Sequence, residues 1–197
     1  MEDLAFEPER TAVLSMDLQT GIVAIYAKDD PALPGRAAKI LESARSRKVS
    51  VIHVQAGFRP GLPEVSVRNP LFGAIKRSPL HQQLFLGPAG TIHSTVAPQA
   101  DDIVVTKHRI CAFAGTDLEM ILRAKEIDTL ILFGIATSGV VLSTFLHASD
   151  QDYRLIVVKD CCADLDAGGH NYLVERLFPS LATVTTSAQL IDALAPR

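Results

Sequence analysis

Two charged residues stand where apolar runs of strand length end. Asp17 follows the run Thr11–Met16, and Lys107 follows the shorter run Ile103–Thr106. A carboxylate at the end of a buried strand can act as a general acid or base, and a nearby lysine can hold it ionised or stabilise negative charge that develops on a substrate. Each residue alone is also compatible with an ordinary turn or a solvated basic patch, so the chemistry depends on the fold bringing them together.

A third candidate is a turn of small residues between an apolar strand and a helix. The run Thr129–Phe133 has a buried-strand pattern that stops at Gly134, and from Val141 onwards apolar residues recur at the three- and four-residue spacing of a helix. The small residues allow backbone N–H groups at the helix start to approach a ligand closely and to present partial positive charge to it. Such N–H groups can form an oxyanion site.

Strand and helix patterns alternate along the chain. The predicted strands are Thr11–Met16, Val49–Val54, Ile103–Thr106, Thr129–Phe133, Arg154–Lys159 and Thr183–Thr186. The predicted helices are about Pro34–Arg47, about Asp117–Lys125 with a Thr116/Glu119 capping box, a helix starting at Val141, His170–Phe178, and a last helix capped by Ser187. This alternation indicates an α/β fold, a three-layer αβα sandwich of Rossmann-like type with a mainly parallel sheet of about six strands. Right-handed crossovers place the carboxyl ends of the strands on one edge, where open α/β sheets bind ligands, so the three candidates are predicted to meet there.

The region from Gln55 to about Ala100 shows no regular pattern. It is rich in turn-forming residues, and a loop region of this length in a compact domain is usually a functional lid or an interface. Its apolar residues argue against disorder and could cover a pocket or meet another subunit: Phe58, Leu71, Phe72, Ile75, Leu84 and Phe85.

The composition and charge of the chain argue against some classes of function. The 197 residues carry a net charge of -3 and are expected to form a single domain over residues 1–197. No basic stripe with interleaved aromatics is present, which argues against a nucleic-acid partner, and no apolar run approaches the roughly 20 residues that span a bilayer. The acidic start Met1–Glu7 does not have the pattern of a secretory signal, so we expect a cytoplasmic protein without a membrane partner.

Cysteines and glycine motifs indicate no cofactor. The three cysteines, Cys111, Cys161 and Cys162, have neither disulfide-framework nor zinc spacing, and the adjacent pair is expected to be buried packing. The chain has no G-x-x-x-x-G-K motif and no glycine-rich dinucleotide fingerprint, so no nucleotide cofactor is implied.

The turn, read with Asp17 and Lys107, resembles the isochorismatase-like hydrolase superfamily, whose amidase members carry a G-x-A-T-x-x-C-V turn. The resemblance covers nearly the whole chain. It is carried by Asp17, by Lys107-x-Arg109 followed by Ala112-Phe113-x-Gly115-Thr116-Asp117-Leu118, by Gly134-Ile135-Ala136-Thr137-Ser138-Gly139-Val140-Val141, and by Asp160 with Ala163-Asp164. The sequence departs from the family's pattern where its nucleophilic cysteine aligns with Val140.

The resemblance implies a specific site. In the amidases the Asp and the Lys activate the cysteine, which attacks a carbonyl carbon, but an aliphatic valine has no lone pair to donate. The resemblance also implies a cis peptide bond between Ile135 and Ala136 in the turn that includes Thr137, with Ala136 and Val140 donating the N–H groups of the oxyanion site.

Other residues could in principle supply a nucleophile. Thr137 and Ser138 lie in the turn, Ser143 lies one helical turn after Val140, and Cys111 follows Lys107 closely. For Ser143, a hydrogen bond back to the helix carbonyl one turn earlier is the favoured interpretation, and for Cys111, packing is favoured.

A second route needs no protein nucleophile. The isochorismatases also lack the cysteine, and the resemblance implies that their Asp protonates a vinyl ether so that water completes the cleavage. Such chemistry requires an acid, a cation that tunes it and a pocket that excludes bulk water. Asp17 and Lys107 could supply the first two, Arg59 and Arg109 are candidate anchors for a substrate carboxylate, and Phe58 is a candidate pocket residue.

No catalytic metal is expected. Nicotinamidases of the superfamily place Asp-x-His shortly after the second strand, where this chain has Ala56-Gly57-Phe58. The six histidines show no ligand spacing.

Three functional hypotheses remain open from the sequence. The first is a hydrolase of this superfamily that acts on a small molecule by acid–base catalysis of Asp17 with support from Lys107. The second is a catalytically inactive member that binds a small molecule or serves as an oligomeric scaffold. The third is amide hydrolysis in which Asp17 directly activates water. The resemblance also suggests a homodimer or homotetramer.

Overall fold

One parallel sheet of six strands forms the centre of the molecule. The computed structural model describes Leu4 and residues 6–195, and within them the strand order is β3-β2-β1-β4-β5-β6, with every neighbouring pair parallel. The strands are β1 Thr11–Met16, β2 Ser50–Ala56, β3 Ile103–Lys107, β4 Thr129–Ile135, β5 Arg154–Ala163 and β6 Thr183–Thr185. The predicted α/β fold class is confirmed.

Helices flank this sheet. They are α1 Thr20–Tyr26, α2 Leu33–Ser46, α3 Pro70–Arg77, α4 Pro79–Leu86, α5 Leu118–Ala124, α6 Leu142–Ser149, α7 Ala167–Tyr172 and α8 Ser187–Leu194. A π-helical turn at Thr137–Val141 leads into α6, and another at Leu173–Leu177 follows α7. Short 3-10 turns lie at Pro8–Arg10, Pro88–Gly90, Ser94–Val96 and Phe178–Ser180. Among the described residues, no helix has the length and apolarity needed to cross a membrane.

The two central strands, β1 and β4, are buried along their whole length. Because both of their faces are covered, their sequences are nearly continuous apolar runs and do not alternate. At the end of β4, a Cβ on Gly134 would lie 2.1 Å from the carbonyl oxygen of Met16, and the φ of this residue is +147°. Only glycine fits this close approach, which brings the carboxyl ends of β1 and β4 into contact.

The predicted end of β5 is wrong. The strand was expected to stop at Lys159, but it continues to Ala163. The register with β4 shifts between Leu132 and Gly134, so that β5 bulges and resumes pairing with Cys162 opposite Gly134. The bulge lets the strand continue past the polar residue that sequence reasoning took for its end.

Two predicted helix caps are also wrong. The hydroxyl of Thr116 donates to a carbonyl oxygen four residues earlier, and Glu119 pairs with Arg123 at 2.7 Å, so the two do not form a capping box. In the last helix, Thr186 and not Ser187 is the cap, and it forms a capping box with the third helical residue.

Helices also lie where no periodic pattern was recognised. The region from Gln55 to Ala100 contains α3 and α4, and α7 begins at Ala167, three residues before the predicted start at His170. Four residues of this region, Leu62, Val65, Phe72 and Ile75, form a separate small core, against which Phe58 and Phe85 pack. This core explains why so many apolar side chains occur in a segment without a strand.

Candidate active site

The strand order places the sequence candidates side by side. The end of β3 pairs Lys107 with Ala56 of β2, and the backbone N–H of Asp17, just after β1, donates to the Val54 carbonyl of β2. On the other side, Met16 pairs with Gly134 of β4. Asp17 therefore lies between Lys107 and the turn that follows Gly134.

Asp17 and Lys107 form a buried ion pair. Lys107 Nζ lies 2.8 Å from Asp17 Oδ2, and the two residues are only 3% and 8% exposed, respectively. The ammonium also donates to the carbonyl oxygen of Arg109 at 3.1 Å. The pair thus has the separation of a charge-assisted hydrogen bond and is largely shielded from water.

Asp17 is held in an unusual state. Its φ is +53°, a left-handed conformation that is uncommon for residues other than glycine and occurs often at functional sites. Burial raises the pKa of this carboxyl, and the Lys107 ammonium and the Ala56 N–H only partly oppose that effect. Its second oxygen, Oδ1, is buried and has no hydrogen-bond partner among the described residues. A carboxyl with a raised pKa and one unpartnered oxygen is suited to proton transfer with a bound molecule.

The turn after β4 has the shape that the resemblance implies. The peptide bond between Ile135 and Ala136 is cis. Val140, which the resemblance aligns with the family's cysteine, is 3% exposed, and Gly139 before it has non-helical φ and ψ of -99° and -105°. The oxyanion role of the N–H groups of Ala136 and Val140 remains a prediction.

Sequence reasoning missed the side chains that hold this turn. Asp164 Oδ2 accepts hydrogen bonds from both the backbone N–H and the hydroxyl of Ser138, each at 2.7 Å. Thr137 Oγ1 lies 2.8 Å from Nδ1 of His170. The only available signal was that Asp164 belongs to the quoted motif, and nothing in the spacing of His170 indicated a contact with the turn.

Gln19 joins the end of β2 to residues 90–92 of the segment between β2 and β3. Its fully buried amide accepts from the Ala56 N–H at 2.8 Å and donates to the carbonyl oxygens of Ala56 at 2.9 Å and Gly90 at 2.6 Å. Gln19 also forms an antiparallel bridge with Ile92. One side chain near Asp17 therefore holds Ala56, where the segment begins, close to Gly90 within it.

The three predicted substrate-binding residues lie on or next to this segment. Arg59 is largely exposed and pairs with Glu64 at 2.5 Å. Arg109 donates to the carbonyl oxygens of His108 at 2.6 Å and Glu64 at 3.1 Å. Phe58 packs in the small core of the segment. The structure brings the two arginines to Glu64, and their role toward a substrate carboxylate remains a prediction.

The alternative nucleophiles are buried, hydrogen-bonded to other groups or packed against the core. Thr137 is fully buried, the hydroxyl of Ser138 is bound to Asp164, and Ser143 Oγ donates to the Val140 carbonyl at 3.4 Å, one turn earlier as expected. Cys111 is partly buried and packs against the main core.

Potential metal ligands do not cluster. Within Leu4 and residues 6–195, no group of three or more His, Cys, Asp or Glu residues is arranged to hold a metal ion. The absence of a catalytic metal remains a prediction from the sequence.

Comparison with known proteins identifies the family. The model of the isochorismatase domain matches residues 11–189. The chain belongs to the isochorismatase family. This confirms the resemblance and places the chain in the isochorismatase-like hydrolase superfamily.

Relatives in the isochorismatase family include amidohydrolases. Ureidoacrylate amidohydrolase RutB of Agrobacterium fabrum is 31% identical over 220 residues, covering 99% of this chain and 96% of that protein. Maleamate amidohydrolase of Pseudomonas putida is 28% identical over 82% of this chain and 76% of that protein. A cysteine hydrolase structure from Pseudomonas syringae pv. phaseolicola superposes with a TM-score of 0.84 at 25% identity, covering 96% of this chain and 94% of that chain.

Proposed function

We propose that this isochorismatase-family hydrolase acts on a small molecule by acid–base catalysis, with Asp17 as the acid and base and Lys107 tuning it, and without a nucleophile at position 140. The buried ion pair carries the proposal. In this pair the acid and the cation are in contact, and one oxygen of Asp17 has no donor in the part of the chain that the structure describes. Val140, in contrast, provides no group that could form a covalent intermediate.

The raised pKa favours the acid role of Asp17. In a vinyl-ether cleavage, the carboxyl of Asp17 gives its proton to the terminal vinyl carbon, and the other carbon becomes an oxocarbenium ion. Water adds to that carbon and returns a proton to Asp17, and the resulting hemiketal breaks down to a ketone and an alcohol. Lys107 stabilises the carboxylate while the cation exists, so proton transfer in both directions remains possible.

Hydrolysis of a C–N bond would use the same residues, but Asp17 would act first as a base and then as an acid. The amidohydrolases among the relatives favour this second reaction. The carboxylate of Asp17 would take a proton from water as the oxygen adds to the carbonyl carbon. The turn's N–H groups would hold the oxyanion, and the proton would pass to the leaving nitrogen as the C–N bond breaks.

A non-catalytic role is the alternative. It is supported by Val140, a buried and chemically inert side chain, 3% exposed, at the residue that the resemblance aligns with the family's nucleophile. Such a chain would bind a small molecule or serve as an oligomeric scaffold. A homodimer or homotetramer in the cytoplasm is part of either proposal, and sedimentation of the purified chain tests the subunit number.

Substrate profiling separates these proposals. The chain is assayed against ureidoacrylate, maleamate, isochorismate and related amides and vinyl ethers, beside the matched variant Asp17→Asn. We expect turnover that falls by about a hundredfold or more in the variant, the usual effect of removing a general acid or base. Turnover that the variant retains would contradict a role for Asp17, and silence of the wild type across the panel would favour binding without catalysis.

A further inference from the structure

Two consecutive residues of the turn are held by side chains that come from beyond β5. Ser138 gives both its N–H and its hydroxyl to Asp164 Oδ2, and the buried hydroxyl of Thr137 is bound to His170. These contacts join segments 26 and 33 residues apart in sequence.

The turn has no side-chain cap of its own. Four α-helices have one: Asn69 caps α3, Ser78 caps α4, Asp166 caps α7 and Thr186 caps α8, each by accepting a backbone N–H. The helical segment that starts at Thr137 follows Ala136, which has no side-chain acceptor, and makes no such bond. The N–H groups at a helix start need acceptors, and Asp164 supplies one from outside the helix.

The two holding residues belong to one short unit. Asp164 Oδ1 accepts from the Asp166 N–H at 3.3 Å, and Asp166 in turn caps α7 by accepting from the Gly168 N–H at 3.0 Å. His170 lies in α7. The side chains of Asp164 and His170 therefore connect Ser138 and Thr137 to α7, so the position of this helix constrains the position of the turn.

We propose that Asp164 and His170 are positioning residues that set where the backbone N–H groups of residues 136–140 point relative to Asp17. They do not touch the reacting atoms in this proposal, but act through Ser138 and Thr137. The inference rests on the proposed function, because it assigns a purpose to the turn as part of the same site.

The charge state of His170 is consistent with this role. Burial lowers the pKa of its imidazole, against the opposing effect of Asp164 and Glu175. A neutral ring can offer a lone pair on Nδ1 to the Thr137 hydroxyl, which then donates.

Hydrogen exchange of the turn tests the proposal in the full chain with its native Val140. Asp164→Asn retains an oxygen that can accept from Ser138, and His170→Asn retains a polar atom close to the place of Nδ1. Asp164→Ala and His170→Ala retain neither. We expect amide exchange of residues 136–141 to rise about fivefold in each Ala variant, the effect of losing a cap, and to stay near the wild-type rate in each Asn variant.

A thiol placed at the nucleophile position reports the direction of the N–H groups. The parent is Val140→Cys with Cys111→Ser, and burial keeps the remaining thiols unreactive, with the pKa of Cys162 raised to about 12 and that of Cys161 raised further. Its alkylation by iodoacetamide is followed against pH. We expect Asp164→Asn to lower the pKa of the introduced thiol, since a nearby negative charge is lost, and Asp164→Ala to give a higher thiol pKa than Asp164→Asn, since the N–H groups are no longer held toward the sulfur.

The outcomes separate the two proposals. If the Ala and Asn variants at each position give the same exchange and the same thiol pKa, Asp164 and His170 do not position the turn. If the parent thiol titrates like an ordinary exposed cysteine, the proposed site is misaligned, while the exchange comparison with native Val140 still decides the positioning role. Circular dichroism checks folding. Should the Ala variants unfold, Ser138→Ala, which removes only the hydroxyl bond to Asp164, is expected to raise exchange to a smaller extent, and no change there would overturn the role of Asp164.

Discussion

Two aspartates with nearly buried side chains show opposite behaviour in this molecule. Burial by itself acts to raise the pKa of both carboxyls, but the overall shift differs between them. At Asp17 the effect of burial prevails, because among the described residues Lys107 is the only side chain that pairs with it and Oδ1 has no hydrogen-bond partner. At Asp102, just before β3, the hydrogen bonds from Arg45, the Gln99 N–H and His53 outweigh burial, and the pKa is lowered.

The number of donors explains the difference. Asp102 accepts from Arg45 Nε at 3.1 Å on one oxygen, and on the other from Arg45 Nη2 at 2.5 Å, the Gln99 N–H at 2.8 Å and His53 Nε2 at 3.1 Å. A carboxylate whose oxygens both accept hydrogen bonds is held in its charged form. A carboxylate with an oxygen that accepts none can exchange a proton with a bound molecule more readily.

The largest expected effect is on stability, in a matched pair of substitutions. Asp102→Asn puts an NH2 group among four donors and should lower the free energy of unfolding by about 3 kcal/mol, as when a partner is removed from a buried pair. Asp17→Asn leaves the buried Lys107 ammonium without its counter-charge, but it also removes a buried carboxylate whose pKa is raised. It keeps an oxygen toward Lys107 and turns the NH2 group to the side without described donors, so its loss should be about 1 kcal/mol. Urea unfolding measures both.

Equal losses in the two variants would break the comparison. Circular dichroism before unfolding shows whether each variant starts from the same fold, and equal urea dependence of the unfolding free energy shows that the two transitions expose the same surface.

The second prediction concerns the loss of folding stability at acidic pH. Burial lowers the pKa of His53, against the opposing effect of Asp102, so as the pH falls through about 6.5 the unfolded chain binds a proton before the folded chain does. Folding stability should therefore decrease below that pH. Asp102 adds a second loss: its contribution is present above its unfolded pKa of about 3.9 and disappears as the pH falls through the lower folded value.

Unfolding curves between neutral pH and pH 3 measure this dependence. Each pKa unit between the folded and unfolded chains corresponds to about 1.4 kcal/mol. The variant His53→Gln should flatten the upper part of the profile. An unchanged slope there would mean that another group titrates.

The smallest effect is expected at an exposed carboxylate. Glu119 pairs with Arg123 one helical turn away at 2.7 Å, but both side chains are open to water. Glu119→Gln should lower the free energy of unfolding by less than about 0.5 kcal/mol, since an exposed i,i+4 pair contributes little. A loss comparable with that of Asp102→Asn would show that counting donors is the wrong measure.

The sequence was sufficient to predict the six strands, apart from the end of β5, and the sheet edge at which Asp17 and Lys107 meet. Buried parallel strands give continuous apolar runs, and parallel topology dictates that Asp17 and Lys107 emerge on the same side. The family resemblance added the turn and its cis bond, which no periodicity could have indicated.

Elements that depend on local caps or on distant contacts were missed. The helices α3 and α4 have only eight residues each, too few to show a long periodic pattern. Each begins with a cap followed by a proline, Asn69-Pro70 and Ser78-Pro79, which is the sequence signal that does mark their starts. The contacts of His170 and Asp164 with the turn arise from tertiary packing and leave no trace in spacing.

The double attachment of Gln19 has a consequence for changes in chain length. Because the amide of Gln19 binds both Ala56 and Gly90, the two ends of the insert between them are fixed by the rest of the domain and not by the residues of the insert. A change in the length of that insert would therefore leave the sheet edge that carries Asp17 and Lys107 in register.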